Sequence, residues 1–110
     1  MEIDFKDKKL KALCEQEKLA QRKLGTQMAQ KLKARLGDLD AASSVTALPV
    51  VGRPHPLMGD RSGQYALDLV QPKRLVFEPD HDPVPRLKDG GIDWSQVTRI
   101  CIIWIGDYHD

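Results

Sequence analysis

The stretch QYALDLVQPKRLVF, residues 64–77, indicates how the second half of this 110-residue chain folds. Apolar Tyr65, Leu67 and Leu69 alternate with a side that is more polar, and this period of two is typical of a half-buried strand. The letters QPK supply turn residues, and RLVF continues as a second short strand. The sequence therefore predicts a β-hairpin here.

An acidic loop and an apolar run follow the hairpin. Residues 78–93 contain three prolines, a Gly-Gly pair and five acidic residues, which predicts a long loop that is mobile or functional. Residues 97–105 are apolar on both sides apart from Thr98 and Arg99, which predicts a central strand covered on both faces. Polar residues return from Asp107 onward, so we expect the chain to end at the surface.

Upstream of the hairpin, the sequence predicts one strand and two helices. Residues 1–5 alternate apolar and acidic side chains, as in a half-buried strand, and Asp7 can cap a short helix. A longer helix is predicted from Glu17 to Leu39, because apolar residues recur there at helical spacing. The apolar stripe is Ala20, Leu24, Met28, Leu32, Leu36 and Leu39, and the opposite side carries basic residues that include Arg35.

The order of elements predicts the fold class. Residues 43–56 hold three prolines and no sustained period, so they should form a connecting loop. The order β-α-α-β-β-β then predicts an α+β fold, with an N-terminal strand and a helical hairpin packed on an antiparallel sheet of about four strands. A chain of this length forms one domain, residues 1–110.

Composition excludes several classes of protein. With 41% hydrophobic and 30% charged residues, the chain is globular rather than disordered. No apolar run approaches the roughly 20 residues that span a bilayer, and the acidic start lacks the features of a signal peptide. We therefore expect a cytoplasmic protein without membrane contact. In that reducing compartment, Cys14 and Cys101 should be buried thiols rather than a disulfide.

Charge is distributed unevenly along the chain. Residues 1–37 carry ten basic and five acidic residues, or +5, whereas residues 38–110 carry seven and eleven, or −4, which gives the net +1. The positive charge of residues 1–37 could bind phosphates or an acidic partner. A helix surface exposed to solvent explains the same pattern equally well.

Three segments resemble one known family. LMGDRSGQYA (residues 57–66), RLVF (74–77) and the terminal DYH (107–109) resemble, in this order, toxins of the HigB type in the RelE/ParE superfamily. The resemblance covers most of the chain apart from residues 78–93. It implies a RelE-like fold, a HigA-like helix-turn-helix antitoxin that carries the contact with operator DNA, and cleavage of mRNA on the ribosome without a cofactor.

Cleavage of RNA without a metal uses the RNA's own 2′-hydroxyl as nucleophile. Arginine suits the stabilisation of phosphoryl charge, histidine suits proton transfer, and tyrosine can stack on a base. The resemblance implies catalytic roles for Arg74 on the scissile phosphate, His109 in proton transfer, Tyr108 in orienting or stacking, and Arg61 on the backbone. It adds Asp107 and His55 as supporting residues, and Lys73 and Arg99 as further RNA contacts.

Simpler interpretations of these residues stay open. Arg61 could be a solvated turn residue, and Arg74 could pair on the surface with Asp68 or Glu78. Tyr108 could be an aromatic residue at the edge of the core, and His109 could be idle near the terminus. The histidines at 55, 81 and 109 show no recognised metal-ligand spacing, so we predict no metal site.

Two departures from the family pattern bear on catalysis. The acidic segment 78–83 would disfavour phosphate if it lay beside the RNA, and Ala66 stands where the family often has serine. Two other functions therefore stay open beside mRNA cleavage. One is a toxin that inhibits DNA gyrase by binding, as ParE-type relatives do. The other is a catalytically silent protein that binds its antitoxin.

Overall fold

The structure is a computed structural model, and it describes residues 1–107. Within that part of the chain, three helices pack on one five-stranded sheet, which confirms the predicted α+β class. The elements are β1 (Glu2–Phe5), α1 (Lys8–Glu15), α2 (Glu17–Leu24), α3 (Thr26–Ala41), β2 (His55–Pro56), β3 (Tyr65–Asp68), β4 (Arg74–Pro79) and β5 (Arg99–Gly106).

The sheet has the order β1-β5-β4-β3-β2. The predicted hairpin is present as β3 and β4, with Asp68 opposite Arg74. Two details differ from the expected antiparallel sheet. The N-terminal β1 pairs parallel to β5. Parallel strands need a long connection, and the chain between these two contains three helices and three strands. The loop predicted for residues 43–56 ends in the two-residue strand β2, which pairs with β3.

The predicted long helix is interrupted at Gly25. Gly25 has φ of +86°, a conformation that side chains disfavour, and it separates α2 from α3. The predicted apolar stripe is confirmed, because all six of its residues are buried or half-buried. Arg35, expected on the solvent side, is instead buried: its Nη1 donates to Asp38 Oδ2 at 2.6 Å, and its side chain lies against Gly52.

Strand β5 lies inside the sheet but is not its middle strand. Ile100 and Ile102 are fully buried beneath the helices, whereas Ile103, Trp104 and Ile105 are only half-buried. A bulge opposite Val76 and Phe77 shifts the register at this point. The prediction of a central strand covered on both faces was therefore wrong in part. Among residues 1–107, the second face carries a small cluster formed by Leu57, Ala66 and Val76 with Ile103 and Trp104.

The acidic loop after β4 is folded rather than irregular throughout. Trp94 packs edge-on against Tyr65 with ring centroids 4.7 Å apart, and Ile92 joins the same main core. The Nε2 atom of His81 accepts the backbone N–H groups of Thr98 and Arg99. These contacts anchor the loop on the helix side of the sheet.

The two cysteines are free and half-buried. Burial, followed by the neighbouring Glu15 carboxylate, raises the pKa of the Cys14 thiol to about 12. Burial also raises the pKa of Cys101, and the carboxylates of Glu78, Asp4 and Asp80 add to that shift. Within residues 1–107, no helix is long and apolar enough to cross a membrane.

Candidate functional site

The face of the sheet opposite the helices holds the candidate site, and we call it the open face. His55, Ala66, Val76 and Trp104 are register partners across β2, β3, β4 and β5. Directly opposed residues project to the same side of an antiparallel sheet, so these four form one row. Three interstrand spacings make the row about 14 Å long. A second row, two residues along the strands, contains Asp68, Arg74 and Gly106.

Arg61 stacks on Trp104 at one side of this face. The 3₁₀ turn Gly59–Arg61 brings the guanidinium carbon of Arg61 to 4.6 Å from the centroid of the Trp104 ring, a cation–π distance. Its Nη1 also donates to Gln64 Oε1 at 3.1 Å. The ring has room because Gly106 lacks a side chain, since a Cβ there would lie 2.5 Å from the Trp104 ring. Gly106 therefore shapes the stacking site.

Arg74 is buried, with 6% of its surface exposed. Its Nη1 donates to Gln71 Oε1 at 2.8 Å and to the Pro72 carbonyl at 3.0 Å. Its Nε lies 2.8 Å from Asp68 Oδ1, but the N–H is not directed along that line, so the contact is an ion pair without a hydrogen bond. The pair with Asp68 is thus present but buried, not a surface pair. This burial does not fit the expected direct grip of Arg74 on a phosphate.

Arg53 reaches the same carboxylate from the solvent side, and its Nε donates to Asp68 Oδ2. The carbonyl of Arg53 lies 2.6 Å from Nδ1 of His55. A carbonyl oxygen only accepts hydrogen bonds, so Nδ1 of His55 carries the proton. The basic nitrogen of the neutral ring is therefore Nε2, which is the arrangement that a proton acceptor requires.

The structure brings together some of the residues that the sequence nominated. Arg61, Arg74 and His55 share the open face, Lys73 is exposed immediately before β4, and Asp107 follows Gly106, the register partner of Arg74. Tyr108 and His109 lie outside the described residues.

Arg99 does not join this group. It lies seven residues from Gly106 along β5, or about 23 Å away, where it pairs with Glu2 at 2.7 Å. The RNA contact expected of Arg99 is therefore not part of the site on the open face.

Three residues of the open face were missed by sequence reasoning. Trp104 lies in an apolar run, so its sequence context predicts a core residue. Arg53 lies in a proline-rich segment that shows no periodic pattern of apolar residues. Asp68 was considered only as a surface partner of Arg74. The bulge that places Trp104 on this face depends on tertiary packing, which no local pattern reveals.

The chemical character of the face is basic and aromatic. Among residues 1–107, no group of three or more His, Cys, Asp or Glu side chains is close enough to hold a metal ion. A guanidinium stacked on an indole, with two further arginines and a histidine, suits contact with phosphates and bases.

Comparison with known proteins identifies the fold. Neither a protein-family model nor a curated protein sequence matches the chain. A solved structure described as a YoeB/ParE toxin from Agrobacterium tumefaciens matches with a TM-score of 0.58 and 17% sequence identity, and the match covers 98% of this chain and 99% of that one. The chain therefore shares the α+β fold of that solved structure over nearly its whole length.

Proposed function

We propose that this chain is the toxin of a type II toxin–antitoxin pair, of the HigB type, and that it cleaves mRNA on the ribosome. The observation that carries the proposal is the placement of Arg61, Trp104, Arg74 and His55 on the same open face. The YoeB/ParE-like fold and the three resembling segments support it. A ribosomal substrate places the activity in the cytoplasm, and a HigA-like helix-turn-helix antitoxin would hold the toxin inactive and contact operator DNA.

The proposed reaction needs no metal. The 2′-hydroxyl of one nucleotide attacks the adjacent phosphorus, its proton passes to a base, and the 5′-oxygen leaves with a proton from an acid. The products are a 2′,3′-cyclic phosphate and a 5′-hydroxyl. His55, with Nε2 as its basic nitrogen, suits the base. His109 suits the acid, with Asp107 to hold it.

The remaining residues would bind and orient the RNA. Arg61 is half-buried, with its guanidinium packed on Trp104, and its exposed part would meet the RNA backbone. Lys73 adds an exposed cation, and Tyr108 would stack on a base or orient it. Arg74 would act from beneath the site by holding the Asp68 carboxylate in place, because its burial limits direct contact with RNA.

The test uses purified protein, ribosomes and a defined mRNA. We expect cleavage within the translated frame, with 2′,3′-cyclic phosphate ends. A single 2′-deoxy substitution at the cut position should abolish cleavage there. Arg61→Ala should lower the rate, whereas Arg99→Ala, which changes an exposed arginine at the far end of β5, should not. Uncut mRNA with soluble, folded protein would contradict the proposal.

One observation favours a second candidate. The burial of Arg74 in an ion pair suits a protein of this fold that acts by binding, such as a gyrase inhibitor, or that only binds its antitoxin. Growth arrest with intact mRNA would support the gyrase inhibitor. No arrest from folded protein would support the antitoxin-binding protein.

A further inference from the structure

Two arginines share the carboxylate of Asp68, and they differ sharply in exposure. The side chain of Asp68 is 13% exposed and that of Arg74 8%, whereas that of Arg53 is 66% exposed. We propose that Arg53 is a further RNA-binding residue, positioned by Asp68, and that it makes the phosphate contact for which Arg74 is too deeply buried. This inference rests on the proposed action on RNA.

The charge of the cluster supports this role. Arg74 faces Asp68 Oδ1 from inside the fold and already balances the carboxylate. Arg53 therefore adds a second positive charge to a pair that is neutral without it, and it places that charge at the surface. Because Arg74 already neutralises the Asp68 carboxylate, the exposed Arg53 guanidinium keeps a positive charge that favours phosphate binding. Its planar fork can bind a phosphate through two N–H groups.

The backbone of Arg53 gives an independent argument. Among residues 1–107, Arg53 is the only non-glycine residue with positive φ, at +46°. Such a conformation costs energy for a residue with a side chain, and it persists where the surroundings impose it. Here it directs the carbonyl of Arg53 to Nδ1 of His55. The segment 53–55 would thus hold the phosphate-binding side chain of Arg53 and the proton-accepting ring of His55 at a fixed distance from each other.

The competing explanation is that Arg53 only ties its loop to β3. Arg53→Gly separates the two roles, because glycine adopts positive φ without strain and keeps the carbonyl, while the guanidinium is lost. Arg53→Lys keeps the charge and loses the planar fork. Arg99→Gln is the matched control, since Arg99 is 60% exposed and also pairs with a carboxylate, that of Glu2.

The measurement is the affinity for a fluorescently labelled single-stranded RNA oligonucleotide as a function of salt. For Arg53→Gly we expect weaker binding, with the slope of log affinity against log salt reduced by about 0.7, the value for one phosphate contact on a single strand. Arg53→Lys should keep the slope with lower affinity, and Arg99→Gln should match the unmodified protein. Thermal unfolding should confirm that all variants are folded.

The outcomes separate this inference from the proposed nuclease. If Arg53→Gly binds RNA with unchanged affinity and slope, the inference fails, whether or not mRNA is cut on ribosomes. If the slope falls but the unmodified protein cuts no mRNA, Arg53 is an RNA-binding residue and the nuclease proposal fails. If the unmodified protein does not bind the oligonucleotide at any salt concentration, the inference is overturned.

Discussion

Asp68 shows how one residue can serve both the stability and the site of this protein. Its carboxylate faces buried Arg74 on one side and exposed Arg53 on the other. The ion pair between Glu2 and Arg99 is exposed on both sides and lies near the opposite end of the sheet. Removal of one partner should therefore lower the free energy of unfolding much more for the buried pair than for the exposed pair, because a buried charge left without its partner is poorly solvated.

Asp68→Asn should lower the free energy of unfolding by about 3–5 kcal/mol, because it leaves the Arg74 guanidinium buried and unpaired. Glu2→Gln should lower it by about 0–1 kcal/mol, as expected for an exposed pair. Urea unfolding of both variants beside the unmodified protein provides the measurement. Equal losses in the two variants would show that Asp68 and Arg74 do not form a buried ion pair.

Cys14 gives a pH-dependent prediction at the same scale. The thiolate is the reactive form, and burial raises the pKa of this thiol from 9.0 to about 12. In a Cys101→Ala background, alkylation of folded protein should still accelerate about tenfold per pH unit between about pH 8 and about pH 10. Protein unfolded in urea should instead approach its plateau near the ordinary pKa.

The same raised pKa has a consequence for stability. The folded state holds the Cys14 proton more tightly than the unfolded state, so this contribution to stability is complete below about pH 9 and is lost as the pH rises toward 12. Alkylation of folded Cys14 that levels off near pH 9 would contradict the described burial of Cys14 against the core.

Strand β5 is the element that links the core to the site. Ile100 and Ile102 fill the core on one side, and Trp104 then presents its ring on the open face. The bulge in the register with β4 and the missing side chain at Gly106 together allow the ring to lie where Arg61 stacks on it. The position of the site therefore depends on the bulge near the C-terminal end of β5, whereas the N-terminal end of the strand is regular.

Gly106→Ala should displace the Trp104 ring, because the new Cβ would lie 2.5 Å from it. We expect the stacking of Arg61 on Trp104 to be lost. The rate of mRNA cleavage on ribosomes should then fall roughly 10–100-fold, because displacing a substrate-binding group by about 1 Å can slow a reaction by this much. Gly37→Ala in α3 is the control, since a Cβ there meets nothing within 4 Å. Near-ultraviolet circular dichroism should change in the first variant alone, and full activity in both would exclude a role for the stack.

At the scale of the whole molecule, periodicity predicted most of the fold. The β3–β4 hairpin, the apolar stripe of the helices and the Asp7 cap, which accepts from Leu10 N, all follow from local patterns. The parallel pairing of β1 with β5 joins residues almost a hundred positions apart, and local patterns carry no such information. The anchoring of the acidic loop by Trp94 on Tyr65 is a tertiary contact of the same kind.

The site was less predictable than the fold. Motif resemblance selected Arg61, Arg74 and His55, and these residues do share the open face. It did not reveal that Arg74 is buried or that Arg53 takes the exposed position, because exposure depends on which side chains pack around a residue. The roles proposed for Tyr108 and His109, outside the described residues, stay predictions.

The most direct test of the proposed function is to map the 5′ ends of cellular mRNA during the first minutes after the protein is induced alone in bacteria. The account predicts new ends inside translated frames, their loss in Arg61→Ala and in a variant lacking residues 108–110, and their persistence in Arg99→Ala. Growth arrest without new mRNA ends, from soluble and folded protein, would contradict the nuclease and favour a toxin that acts by binding.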